Sequence, residues 1–138
     1  MLNAAIAQIL RQLAIYEDME NEFFRARAYE HGAQALESLA EDAADIYRRG
    51  GLKALEEIPG IGAYLAEKIE EYLKTRRVRA YEQFKKKLPI NVGELYAVEG
   101  LGPKTSKLLW ERLRIKNLKD LEAAARAGKI AEIPHLGG

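Results

Sequence analysis

The stretch Ile58-Pro59-Gly60-Ile61-Gly62-Ala63-Tyr64-Leu65-Ala66-Glu67-Lys68-Ile69 returns, in altered form, as Val98-Glu99-Gly100-Leu101-Gly102-Pro103-Lys104-Thr105-Ser106-Lys107-Leu108-Leu109. Each copy runs aliphatic, any residue, glycine, aliphatic, glycine, and then enters an amphipathic helix. A small residue, Ala66 or Ser106, follows the second glycine by four places. Repetition of this kind marks a recurring supersecondary unit. The glycines permit positive φ and close backbone approach, so the loop turns sharply into its helix. The central aliphatic, Ile61 or Leu101, is expected to tuck between the two helices and hold the hairpin shut. A third, incomplete copy, Ile133-Pro134-His135-Leu136-Gly137, starts where the sequence stops, as expected of a piece of a longer protein.

Outward from the repeat, every segment reads as helix. Leu2, Ile6, Ile9, Leu10 and Leu13 recur at helical spacing, with Asn3 a candidate N-cap. Residues 24–39 form a second amphipathic segment, with Phe24, Ala28, Ala35, Leu36 and Leu39 roughly on one side. Asp42 and Asp45 open a third that ends at Gly50-Gly51. Leu52 to Ile58 is a fourth, stopped by Pro59-Gly60, and Gly62 to Leu73 is a strong fifth. Strand-type alternation is absent, so the expected fold class is all-α, a helical bundle with two hairpins.

Composition narrows the function classes. No cysteine is present among the 138 residues, which excludes disulfides, thiolate metal sites and thiol catalysis. His31 and His135 are too few and too far apart for a zinc site. No apolar run approaches the ~18–20 residues of a membrane span, and the start lacks the pattern of a signal peptide. We therefore expect a cytoplasmic protein, nucleoid-associated if prokaryotic, with no membrane partner; without a heptad seam, a monomer is expected. The net charge of +1 conceals nine acids against five bases in residues 1–50, and twelve against seventeen in 51–138. Within 74–87, Lys74, Arg76, Arg77, Arg79, Lys85, Lys86 and Lys87 face Glu82 alone. That excess suits neutralised phosphates or, equally, a solvated helix face.

The hairpin supplies a more specific anion site. At each helix start the first amides lack intrahelical acceptors, and the positive end of the helix dipole points the same way. A phosphate fits there without any base contact, which predicts sequence-independent binding of DNA. Gly60, Gly62, Gly100, Gly102, Lys104 and Thr105 are the residues expected to carry it. The run Gly100-Leu101-Gly102-Pro103-Lys104-Thr105 is not a nucleotide-binding P-loop, because the glycine-to-lysine spacing fails and no strand precedes it.

This pattern resembles the helix-hairpin-helix motifs of DNA-binding proteins. The chain as a whole resembles the N-terminal lyase domain and adjoining DNA-binding subdomain of X-family DNA polymerases, with boundaries expected at 1–80 and 81–138. The resemblance rests on Phe24-Arg25-Ala26-Arg27-Ala28-Tyr29, on Leu55 through Gly62, on Ala66-Glu67-Lys68-Ile69 and on Val98 through Pro103. It implies gapped, nicked or 5′-phosphate-ended DNA as partner, with the first hairpin downstream of a gap and the second on the primer side.

The resemblance also implies a 5′-deoxyribose-phosphate lyase acting through a Schiff base on Lys68, assisted by Tyr29 and Glu67. A lysine suits that role because a neutral amine must attack the sugar aldehyde. Arg25 matches a 5′-phosphate binder, and Phe24 a residue that stacks on a base or sugar, though an aromatic at that spacing is more often core. Helical spacing puts Tyr64 beside Lys68. Two positions depart from the family pattern. Tyr64 stands where a phosphate-binding lysine is usual and Glu30 where an arginine is, and both lower the positive charge around the 5′-phosphate. Each hairpin is implied to hold Na+ or K+ through backbone carbonyls, those of Glu56, Ile58 and Ile61 and of Tyr96, Val98 and Leu101. Mg2+ belongs to nucleotidyl transfer, for which this chain shows no clustered acids. Three functions thus stand open: a DNA-holding module, a lyase, or a helical protein-interaction module.

Overall fold

The computed structural model describes residues 1–132, which form eight α-helices and one 3-10 turn, with no strand among them. The expected all-α class holds; the third copy at 133–137 lies outside the described residues. The chain divides into two compact units, Met1–Gln83 and a second that begins at Phe84.

The first unit contains α1 (Asn3–Met19), α2 (Phe23–Ser38), α3 (Ala43–Glu56) and α4 (Ala63–Thr75). Ile6, Ala7, Leu10, Leu13 and Ala14 make the buried stripe of α1, which runs a further turn and a half beyond Leu13 through Tyr16, Glu17 and Met19. Asn3 does not cap α1; Leu2 holds that position without a side-chain bond. The Asn3 amide instead donates to the Glu41 carbonyl at 2.8 Å and accepts the Ala43 N–H at 2.8 Å, so it ties the chain start to the entry of α3. Asp42 does cap α3, accepting from the Ala44 N–H at 3.0 Å.

The face assigned to α2 from the sequence is corrected. Phe24 is 96% exposed and Ala28 is exposed too, while Ala26, Tyr29, Gly32, Ala33 and Leu36 are buried. Small residues on that stripe let α1 and the first hairpin come close. A Cβ at Gly32 would stand 2.6 Å from Leu65 Cδ1 and 3.5 Å from Ile61 and Leu10. Glycine in a helix interior costs about 1 kcal/mol against alanine, here offset by that approach. The expected break at Gly50-Gly51 is present inside α3, where Gly51 takes φ 66° and ψ −156°.

α5 (Arg79–Lys87), where the sequence reading saw only a basic stretch, spans the boundary between the units. The second unit holds α6 (Val92–Tyr96), α7 (Pro103–Leu113) and α8 (Leu118–Arg126) around Leu88, Ile90, Val92, Leu95, Leu109 and Ile115. Asn91 caps α6 through Glu94 N–H at 3.1 Å, and Asn117 caps α8 through Asp120 N–H at 2.8 Å. The Asn91 N–H donates to the Lys116 carbonyl at 2.7 Å, closing this unit on itself.

Candidate nucleic-acid interface

The two hairpins repeat each other bond for bond. In the first, Ile58 N–H donates to Leu55 and Ile61 N–H to Ile58, at 3.2 and 2.9 Å. In the second, Val98 N–H donates to Leu95 and Leu101 N–H to Val98, both at 3.1 Å. Gly60 has φ 92° and Gly100 φ 87°, the left-handed side of backbone space that favours glycine. Ile61 is buried as expected, whereas Leu101 is only half-buried.

The second glycine of each loop behaves differently from expectation. Gly62 (φ −89°, ψ −175°) and Gly102 (φ −88°, ψ −178°) are extended, a conformation open to any residue. A Cβ at either would meet nothing within 4 Å. Neither backbone strain nor internal packing calls for glycine there. What a bare α-carbon leaves is room for something outside the chain to reach the amides of the following helix.

Those amides are available. No side chain caps α4, and the N–H groups of Ala63, Tyr64 and Leu65 find no acceptor among the described residues. α7 also lacks a side-chain cap, and Pro103 at its first position has no N–H to lose. It therefore presents one N–H fewer than α4 at its start. The carbonyls of Ile58 and Val98 each take a turn hydrogen bond, which leaves a second lone pair. Those of Ile61 and Leu101 accept no backbone bond among the described residues. Glu56 and Tyr96 close the helices that enter the two loops. Among the described residues no group of three or more His, Asp or Glu is placed to hold a metal ion.

The residues singled out on α2 and α4 fall into two groups. Tyr29, Tyr64 and Lys68 touch in series. The Tyr29 and Tyr64 hydroxyls are 3.3 Å apart, long for two oxygens, and their rings meet edge to face at 6.1 Å. Lys68 Nζ stands 4.6 Å over the Tyr64 ring. Burial first, and then the contact with Tyr64, push the Tyr29 phenol well above the usual tyrosine range. Glu67 and Lys68 border an open hollow of about 350 Å³ with Glu71, Arg79 and Gln83. Arg25 lies apart from these, 3.4 Å from Glu17 and 3.6 Å from Glu22. Phe24 shares an open apolar face with Phe23, Ala28 and His31. Glu30 is balanced by Arg27 at 3.3 Å.

Sequence reasoning passed over Glu17. Its side chain is buried, and burial raises its carboxyl pKa despite the opposing pull of Arg25. The signal was legible, because Glu17 continues the Leu10–Leu13 stripe of α1. The left-handed arginines Arg76 (φ 61°) and Arg114 (φ 56°), which end α4 and α7, carry no such signal.

Among the described residues no helix is long and apolar enough to cross a membrane. Residues 1–78 match a protein-family model described as a helix-hairpin-helix domain.

Proposed function

The chain belongs to the helix-hairpin-helix domain family, a class associated with nucleic-acid binding, and on that premise we propose that it holds DNA by backbone phosphates at the starts of α4 and α7. One observation carries the reading: two extended glycines, Gly62 and Gly102, kept bare where neither conformation nor packing requires it. The phosphate accepts from uncapped amides at the positive end of the helix dipole. No base edge is involved, so affinity is independent of sequence. The neutral carbonyl oxygens of Ile58, Ile61, Val98 and Leu101 suit Na+ or K+, which would add full positive charge beside the phosphate. Gapped or nicked duplex, within an X-family repair polymerase, is the setting that the sequence resemblance favours.

A second reading is favoured by the position of Lys68 at the rim of the hollow beside Tyr64. There the amine would condense with the C1 aldehyde of a 5′-deoxyribose phosphate, losing water to form an imine, and β-elimination would then release the strand. Tyr29, one ring removed, would hold Tyr64 in place, with Glu67 at the rim.

The test is fluorescence anisotropy on gapped duplexes of two unrelated sequences across a salt series. Equal affinities are expected, with log K falling by about 0.9 per log unit of salt for each neutralised phosphate. Gly62→Val and Gly102→Val should weaken both duplexes alike. Absence of DNA affinity at low salt would sink the reading and favour a protein-interaction module. Borohydride trapping on a 5′-deoxyribose-phosphate gap, with Lys68→Ala alongside, decides the lyase reading separately.

A further inference from the structure

The division of the chain is also a division of charge. Met1–Gln83 carries eleven bases against fifteen acids, and the unit from Phe84 onward carries eleven bases against six acids. In the first unit at least seven bases stand in ion pairs, from Arg11 with Glu37 to Arg79 with Glu71. In the second unit Arg112, Arg114 and Lys129 are exposed and stand in no ion pair among the described residues.

These three bases converge on one open cleft of about 480 Å³ between the end of α7 and the face of α8. Ala123 and Ala127 form part of its wall, and the acid that lines it is Asp120. The Asp120 carboxylate is already engaged, accepting the Lys116 N–H at 3.1 Å. The cleft is thus a cationic recess with a smooth apolar side.

Arg114 adds a second, independent observation. It ends α7 in the left-handed region, where glycine is the usual choice and a side chain costs about 1–2 kcal/mol. Its guanidinium lies 4.8 Å over the Trp110 ring. The ring restricts the guanidinium, so less freedom is lost when it meets an anion. Arg76 ends α4 in the same left-handed way, so what sets Arg114 apart is its place in the cleft lining beside two further bases.

We infer that the α7–α8 cleft formed by Arg112, Arg114 and Lys129 is a further binding site for a phosphodiester of the nucleic-acid backbone, separate from the second hairpin. The charge supplies attraction, the fork of Arg114 fits phosphate oxygens, and the alanine wall suits a sugar face. This rests on the DNA-binding reading and locates much of its salt-dependent part in the second unit.

The experiment uses the full chain and the salt series on gapped duplex. Arg114→Gly removes the charge while giving the backbone the residue that its φ favours, so loss of folding does not confound it. The double variant Arg112→Gln with Lys129→Gln is the second probe, and Lys119→Gln, an exposed base outside the cleft, is the control. The slope of log K against log salt should flatten by about 1 for Arg114→Gly, with several-fold weaker binding at low salt. The double variant should flatten it likewise, the control should not, and Arg114→Lys should restore most of the slope. Inorganic pyrophosphate is titrated in parallel by thermal shift. A pyrophosphate shift lost in Arg114→Gly, with DNA binding unchanged, would reassign the cleft to a small phosphate compound. If the native chain binds and the cleft variants keep its slope, the cleft assignment alone falls. If the native chain binds no DNA, both readings fall.

Discussion

Replacing Gly62 by aspartate should make the protein more stable and a worse DNA binder. The α-carbon of Gly62 is extended, with nothing within 4 Å of the added Cβ, so the side chain enters without strain. Three gains follow. A carboxylate at an N-cap improves on glycine by a few tenths of a kcal/mol. An acid in the field of the helix dipole adds roughly 0.3–1 kcal/mol. Removing glycine from the unfolded chain adds about 0.4–1 kcal/mol. A net gain of about 1 kcal/mol raises the melting temperature of a domain of this size by about 4–8 °C. The same carboxylate takes the amides a phosphate would use and repels it. Loss of a charge-assisted contact, about 1.5–3 kcal/mol, corresponds to roughly 10–150-fold in affinity. The assay pairs thermal denaturation with anisotropy on gapped duplex, and Gly60→Asp serves as the contrast. That variant should lose stability, because φ is 92° and the Cβ would sit 3.1 Å from Ala35 Cβ. A Gly62→Asp protein that is stabilised yet binds DNA undiminished would refute the reasoning, as would one that is destabilised.

Ser106→Ala should stabilise the second unit by about 1–3 kcal/mol, read as a higher denaturation midpoint, because the buried Ser106 hydroxyl has no hydrogen-bond partner among the described residues. Phe24→Ala should change stability by no more than about 0.5 kcal/mol, since the ring is exposed; a melt that drops further would return Phe24 to the core. Burial, and secondarily Tyr81, pushes the Tyr16 phenol from 10.0 up to about 12, and Tyr29 is raised as well. A phenol pKa raised by folding stabilises fully below pH 10 and is lost as pH climbs towards the folded value, so denaturant midpoints should fall above about pH 10. Tyr16→Phe should blunt that fall. Glu17 is raised mainly by burial, so its charge opposes folding at neutral pH. Glu17→Gln should therefore be the more stable protein at pH 7, read as a higher denaturation midpoint, an advantage that vanishes below the ordinary carboxylate range.

The helix pattern and the hairpin repeat were legible because both depend on local rules. Fixed-offset glycines, small residues and aliphatic spacing carried them, and Asp42 was readable as the opening of α3 from its type and place. Asn3 was misread because a cap rule looks only at the helix it precedes, whereas its amide reaches Glu41 and Ala43 on another segment. Phe24 was placed on the wrong face because the stripe of α2 that packs is made of Ala26, Gly32 and Ala33. Their burial comes from close approach, which a hydrophobicity pattern does not weigh. Within the site, the adjacency of Tyr64 and Lys68 followed from helical spacing, while the Tyr29–Tyr64 contact spans 35 residues and needed the fold. The two glycines in each loop differ in a way the motif hides: Gly60 takes the positive φ of the turn, and Gly62 is extended with open space beside it.

The Asn3 side chain stands in for a missing peptide group, with its NH2 on one carbonyl and its oxygen on one N–H. Such a fit makes the position sensitive to a change of side-chain chemistry. Deamidation would exchange the donor for a second acceptor, setting a negative oxygen against the Glu41 carbonyl while sparing the bond from Ala43. The attraction that ties the chain start to the α2–α3 connection would turn into repulsion on one side. A change of one mass unit at this side chain would thus loosen the first turn of α1, with every helix-forming residue of the chain intact.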